Sequence, residues 1–233
     1  IGGFIGNYDD SYQIRIQKAL NDLHSRGPDF SDFKLHDIFN SKLLLGHTRL
    51  SIIDLSPNSN QPMYLSNGRY GLIFNGEIVN YLELKLKLKK LGVSFSTTSD
   101  TEVLLKAWTH WREKTIELLE GMFAFAIFDF KDVKLTLVRD GFGIKPLYYE
   151  KEQNNFIFSS EIKGIRTINP NKDELNWQRS YEYLVFGAYD FGNETFYKNI
   201  KSLEPGHYLE IDCKNFNSLK INRWWKPKIK EQK

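Results

Sequence analysis

The stretch Gly121–Asp129, Gly-Met-Phe-Ala-Phe-Ala-Ile-Phe-Asp, constrains the fold more than any other part of this chain. It is apolar almost throughout and does not alternate, so a strand there has to be buried on both faces. Shorter segments with strand character recur along the chain, at 42–48, 71–75, 135–139, 147–150, 156–159 and 208–211, with turn chemistry at Ser66-Asn-Gly68. The start, Ile1-Gly-Gly-Phe-Ile-Gly6, reads as a buried glycine-rich strand that another backbone or a ligand approaches closely. A helix is expected over about 12–25, capped by Asp9 or Asp10 and stopped by Gly27-Pro28. A second covers 81–91, with Gly92 at the left-handed position past its end. A third opens at the capping-box run Ser99-Asp-Thr-Glu102. The pattern predicts sheets packed with helices but not the order of the layers.

With 233 residues, 41% hydrophobic and 15% aromatic, the chain can bury one large core or two small ones. A net charge of +3 argues for neither a nucleic-acid nor a membrane surface, and four lysines crowd the end, Lys226, Lys228, Lys230 and Lys233. No apolar run approaches the ~18–20 residues of a membrane span, and the first residues are not a signal peptide. The single cysteine, Cys213, rules out an internal disulfide framework and fits a reducing cytoplasm. With no histidine or helix start near it in sequence, Cys213 is expected to be inert. No metal-ligand spacing, dinucleotide loop or phosphate loop is present.

Some polar residues carry chemical meaning. Asn75-Gly76 follows the apolar run Leu72-Ile-Phe74, and an Asn amide beside a glycine N–H can form an oxyanion hole. The same dipeptide also reads as a plain strand-ending turn. Arg49 can grip a carboxylate through two parallel hydrogen bonds, or serve as a structural arginine. Glu77 and Asp100 can hold an ammonium group between them, although an acidic residue in a helix's first turn is favoured anyway.

Together these segments resemble the glutaminase domain of glutamine-dependent asparagine synthetases, over nearly the whole chain from Ile1 to about residue 213. The matching runs are Arg26-Gly-Pro-Asp29, Arg49-Leu-Ser-Ile-Ile-Asp54, Gln61-Pro-Met63, Phe74-Asn-Gly-Glu77, Ser99-Asp-Thr-Glu102, Gly121-Met-Phe-Ala-Phe-Ala126, Arg139-Asp140, Gly143-Ile-Lys-Pro-Leu-Tyr-Tyr149 and Ser159-Ser-Glu-Ile-Lys163. Each is weak alone, and their order and spacing are specific. The resemblance implies an α+β N-terminal-nucleophile hydrolase fold, a four-layer αββα sandwich with two antiparallel sheets. It implies hydrolysis of the glutamine side-chain amide, the ammonia passing to a synthetase domain of the same parent chain that adenylates aspartate with ATP and Mg²⁺. No cofactor or metal is implied for the glutaminase domain itself. Arg49 would hold the α-carboxylate, Ile52 and Ile53 would line the pocket, Asn75 and Gly76 would form the oxyanion hole, and Glu77 and Asp100 would bind the α-amino group. A homodimer is compatible with this reading, and neither nucleic acid nor membrane is an expected partner.

The family's nucleophile is an N-terminal cysteine in a Cys-Gly-Ile run whose α-amine serves as base. Ile1 matches that isoleucine, so the cysteine is expected two positions upstream, outside this chain. Loss of a nucleophile can cost on the order of 10⁶ in rate, so the chain as given should hydrolyse glutamine negligibly. Residues 214–233 read as a linker into an absent ATP-dependent domain. Smaller departures are Ser25 for a histidine, Val79 for a tyrosine and Gly141 for an arginine. Besides a purely structural role, which leaves the co-occurrence of Arg49, Asn75, Gly76, Glu77 and Asp100 as coincidence, two other readings stand beside this one. The first is an amidotransferase of the same fold with a different acceptor. The second is a non-catalytic relative that binds glutamine or docks a partner.

Overall fold

The computed structural model describes residues 1–7, 10–170, 174–189, 192–216 and 218–228. In chain order the elements are β1 (Gly2–Gly6), α1 (Asp10–Asp22), β2 (Phe30–Ile38), β3 (Ser41–Arg49), β4 (Met63–Tyr64), β5 (Tyr70–Ile78), α2 (Tyr81–Lys90), α3 (Asp100–Trp111) and α4 (Lys114–Leu118). There follow β6 (Gly121–Asp129), β7 (Lys134–Arg139), β8 (Tyr148–Lys151), β9 (Phe156–Ser159), α5 (Ile162–Ile168), α6 (Trp177–Phe186), β10 (Ile200–Ser202), β11 (His207–Asp212) and β12 (Leu219–Arg223).

They build two six-stranded sheets, in the orders β10-β8-β9-β1-β3-β2 and β12-β11-β7-β6-β5-β4, and every strand pairing is antiparallel. Strand β6 shows why the sheets stack. Its Ala124, Ala126 and Phe128 pack toward β1, β3 and β9 of the other sheet. Its Phe123, Phe125 and Ile127 pack against α2, α3 and α4. A third apolar cluster joins the far face of the first sheet to α1 and α5 through Phe4, Leu44, Ile16, Leu20 and Ile165. The result is four layers, α1/α5, sheet, sheet, α2–α4. The small Ala124 and Ala126 on the inner face of β6 and the large Phe123 and Phe125 on its outer face fit the sheet-to-sheet and sheet-to-helix spacings respectively.

The helix expected over 12–25 is α1 followed by a 3-10 turn at His24–Arg26. The cap expected from Asp9 or Asp10 falls on side chains outside the described residues. Gly92 has φ +85°, as a left-handed stop requires. Ser99 caps α3 by accepting the Glu102 N–H at 3.2 Å. Glu102, however, turns to the preceding loop, where its carboxylate accepts Ser96 N–H at 2.9 Å and Thr97 N–H at 2.7 Å. Only half of the capping box forms. Residues 219–223, assigned from sequence to a linker, form β12 and extend the second sheet beyond β11. Trp224 then stacks on Phe123 with centroids 6.1 Å apart and donates its indole N–H to Arg139 O at 3.2 Å. Lys230 and Lys233 lie outside the described residues.

Candidate active site

All seven residues singled out from the sequence, Arg49, Ile52, Ile53, Asn75, Gly76, Glu77 and Asp100, line one cavity of about 330 Å³. It opens at the end of the core between the sheets. Arg49 approaches from β3, Asn75 and Glu77 from β5, and Asp100 from the first turn of α3.

Asn75-Gly76-Glu77 does not end its strand. The three residues sit inside β5, paired with Ala124, Phe123 and Met122 of β6. What ends early is the other neighbour: β4 has two residues and pairs only with Leu72 and Gly71, so the opposite edge of β5 is open from Phe74 onward. Side chains take over there. Gln61 Oε1 accepts the Phe74 N–H at 2.6 Å, His47 Nε2 lies 3.0 Å from Phe74 O, and Asp100 Oδ2 accepts the Ile78 N–H at 3.1 Å. Backbone groups alternate in direction along a strand, so the Gly76 N–H points to this same edge, between the two satisfied positions. Consistently, Phe123 opposite Gly76 turns its own N–H and C=O to Asp140 on the far side of β6. The Asn75 side-chain NH₂ is buried without a hydrogen-bond partner. Two donors are therefore left beside one cavity. Gly76 has φ +148°, and a Cβ there would fall 2.1 Å from Met122 O, so only glycine fits.

The Arg49 guanidinium donates to Ser56 O at 3.1 Å, to Asn60 Oδ1 at 2.7 Å and to Asp54 O. These acceptors are neutral, and among the described residues no carboxylate pairs with it. Two of its five N–H donors remain. Arg49 thus supplies a buried positive charge to the cavity while tying down the loop that carries Ile52 and Ile53. Asp54 pins the same loop to the start of α3, accepting Ser56 N–H, Thr98 N–H and the Thr98 hydroxyl, each at 2.8 Å. Those bonds hold its carboxyl well below the usual range. Ile52 is exposed and Ile53 half-buried.

Asp100 is buried, and burial pushes its carboxyl up to about 6 against the hydrogen bond from Ile78 N–H, with the nearby Glu77 charge adding to the rise. Glu77 itself is exposed. An ammonium group placed between these two carboxylates would relieve both the desolvation and the repulsion.

Among the other lining residues, His47, Gln61 and Lys145 were given no site role from the sequence, although Gln61 and Lys145 stand in the matching runs. Phe74 O can only accept, so His47 Nε2 carries the hydrogen, and its buried Nδ1 is a bare acceptor without a partner. Burial lowers the His47 pKa to about 3, so the ring is neutral. The signal for His47 was its place two residues before Arg49, on the same strand face. Gln61 opened the matching run Gln61-Pro-Met63, but its role could not be read there, because it depends on the shortness of β4. Lys145 is set at the cavity by Arg139-Asp140. Asp140 accepts the N–H groups of Phe142, Ile144 and Lys145 at 3.0–3.1 Å, and Arg139 donates to Gly143 O and Lys145 O. Cys213 is buried far along the chain, and burial pushes its thiol up to about 12, as an inert cysteine requires. Among the described residues no group of three or more His, Cys, Asp or Glu converges on a metal position.

A two-sheet αββα sandwich whose sheet ends enclose a pocket of these residues defines an N-terminal-nucleophile hydrolase fold. The family model of the glutamine amidotransferase domain matches residues 1–225, and the chain belongs to that family. It is 38% identical to asparagine synthetase [glutamine-hydrolyzing] 1 of Bacillus subtilis over 90% of this chain and 33% of that protein. It is 33% identical to a putative asparagine synthetase [glutamine-hydrolyzing] 2 of Methanocaldococcus jannaschii over 99% of this chain and 47% of that protein. The chain therefore spans a third to a half of the length of these curated relatives. The glutamine phosphoribosylpyrophosphate amidotransferase of B. subtilis superposes with a TM-score of 0.69 at 19% identity, covering 97% of this chain and 50% of that one. At that identity the likeness speaks to the fold alone. No helix among the described residues is long and apolar enough to cross a membrane.

Proposed function

We propose that this chain is the glutaminase part of a glutamine-hydrolysing asparagine synthetase. It would release ammonia from the glutamine side chain for an ATP- and Mg²⁺-dependent region of the parent polypeptide that amidates aspartate. The observation that carries the reading is the convergence, in one cavity, of an anion site, a cation site and two unused hydrogen-bond donors. A free α-amino acid has one carboxylate and one ammonium group. Arg49 suits the first, and Glu77 with Asp100 suits the second. Anchored at that end, glutamine would bring its side-chain amide to Asn75 and Gly76.

The strand register supports a nucleophile from ahead of Ile1. Gly2 pairs with Gly46, so Ile1 stands opposite His47, and a residue two places earlier would stand opposite Arg49. Side chains alternate, so that residue shares the face of Ile1, which is buried between the sheets. The Ser160 N–H donates to Ile1 O at 2.9 Å and fixes the start of the strand. A cysteine there would attack the amide carbon, with its own α-amine taking the thiol proton and passing it to the departing ammonia. The oxyanion would be held by Asn75 Nδ2–H and Gly76 N–H. Water would then cleave the thioester, releasing glutamate and restoring the thiol. ATP and magnesium would bind outside the residues described here, and the reading places the protein in the cytoplasm.

The test is ammonia release from glutamine by the chain with Cys-Gly added ahead of Ile1 and a free α-amine, beside the chain as given. Hydrolysis only in the extended form is the expected result. A folded extended protein that binds glutamine without hydrolysing it would favour the non-catalytic relative.

A further inference from the structure

Phe74, the residue before Asn75, gives both of its backbone groups to side chains of the cavity. Its N–H donates to Gln61 Oε1 at 2.6 Å, and its O accepts from His47 Nε2 at 3.0 Å. The second bond fixes both the tautomer and the pose of the imidazole, because a carbonyl oxygen can only accept. His47 is 4% exposed, burial keeps its ring neutral, and its Nδ1 is left with a lone pair and no partner.

Among the described residues, five buried side-chain nitrogen or oxygen atoms lack a hydrogen-bond partner. Three of them, on His47, Ser59 and Asn75, belong to residues that line this one cavity, which marks it as the place where an outside molecule completes the bonding. The three are not equivalent. Asn75 Nδ2 can only donate, the Ser59 hydroxyl does either, and His47 Nδ1 can only accept.

A primary carboxamide asks for a donor and an acceptor side by side. Its oxygen accepts, its nitrogen carries two hydrogens, and both atoms sit on one carbon. With the oxygen turned to Asn75 Nδ2 and Gly76 N–H, the NH₂ beside it needs an acceptor. The Glu77 and Asp100 carboxylates serve the α-ammonium group at the other end of glutamine. His47 is the acceptor tied, through Phe74, to the strand position next to Asn75. It also shares a strand face with Arg49 and stands opposite Ile1 across the β1–β3 pair. A residue two places ahead of Ile1 is then its diagonal neighbour, at the ~7–8 Å of such pairs, which rings and long side chains span. The acceptor thus lies on the same wall as the nucleophile's position and against the strand that carries the oxyanion donors.

We infer that His47 reads the substrate's side chain as a primary carboxamide: its Nδ1 accepts an N–H of the glutamine amide and turns away carboxylates and esters of the same shape, which offer no hydrogen there. The inference rests on the glutaminase reading for the identity of the substrate. Its test compares glutamine with glutamate γ-methyl ester, which keeps the carbonyl and has no N–H, on the Cys-Gly-extended chain. His47→Gln keeps an N–H for Phe74 O and removes the Nδ1 acceptor, whereas His47→Asn keeps an oxygen near the Nδ1 position. His47→Gln should lower kcat/KM for glutamine about tenfold or more and for the ester by less than about twofold, and His47→Asn should recover most of the preference for glutamine. Equal losses on the two substrates in both variants would make His47 a structural strut and overturn the inference. A second measurement needs no substitution. The chain as given should bind glutamine at least about tenfold more tightly than the ester by calorimetry, and equal affinities overturn the inference as well. Hydrolysis by the unsubstituted extended chain separates the two failures. If it cleaves both substrates and the preference ignores position 47, only the role of His47 falls; if it cleaves neither, the glutaminase reading falls and takes this inference with it.

Discussion

At the scale of single residues, the site brings buried polar atoms without partners, His47 Nδ1 and Asn75 Nδ2 among them, to one cavity. Asn75 offers a buried NH₂ without a partner, an exception among buried polar groups that a catalytic role explains. With the Cys-Gly-extended chain, Asn75→Ala should lower kcat by about 10²–10³ with little change in KM, since one oxyanion donor contributes ~2.7–4 kcal/mol to the transition state. Steady-state ammonia release checks it, and an equal rise in KM would instead assign Asn75 to ground-state binding. Asp100 is held at a cost to the empty protein. Its folded-state pKa, about 6, stands above the usual 3.8. The folded state therefore keeps the proton longer than the unfolded chain. The corresponding stability is complete below about pH 4 and is lost as pH rises through 6. The shift corresponds to roughly 3 kcal/mol. Asp100→Asn, which keeps an acceptor for Ile78 N–H, should raise the melting temperature at pH 8 by several degrees and flatten its pH dependence between 4 and 8. The same change should weaken glutamine binding on the order of 10²-fold by removing the ammonium's partner. Calorimetry and a binding titration read the two effects separately, and a variant no more stable than the parent at pH 8 would contradict the first.

Among the elements, the shortness of β4 and the reach of β12 matter most. β4 pairs with only two residues of β5, and the edge thus freed is where Phe74, Gly76 and Ile78 meet Gln61, the cavity and Asp100. Nothing in Met63-Tyr64 announces this, because strand length is decided by where the neighbouring chain turns away. In sequence, residues 214–233 read as a linker into a further domain, since core-like residues thin out after Cys213. In the fold β12 pairs along β11, and Trp224 lies on Phe123, the residue opposite Gly76. A chain ending at Cys213 should therefore melt well below this one and lose cooperativity. An exposed β11 edge should make it aggregate on heating. Thermal unfolding followed by circular dichroism checks this, and an unchanged midpoint would mean that β12 only decorates the sheet.

For the whole molecule, legibility tracked the range of the interactions involved. The pattern of strands and helices gave sheets packed with helices, with β6 buried on both faces, and the four-layer sandwich was readable only because the order of many short motifs resembles one family. The helix stops at Gly92 and the cap at Ser99 were readable because capping is local chemistry. The site residues were readable as a set only through the resemblance, since a lone arginine, an Asn-Gly pair and a first-turn aspartate each have an ordinary explanation. Arg139-Asp140 was legible as a motif, but its task was not. Clamping loop 141–145 so that Lys145 faces the cavity takes hydrogen bonds that close only in the fold. By itself the sequence determined which residue types were available, where helices stop and which strand must be covered twice, because these follow from backbone conformation and apolar pattern over a few residues. Tertiary structure alone decided that Asn75-Gly76-Glu77 lies within a strand and that His47 is a neutral buried acceptor. Each of those depends on which distant segment packs, or fails to pack, against it.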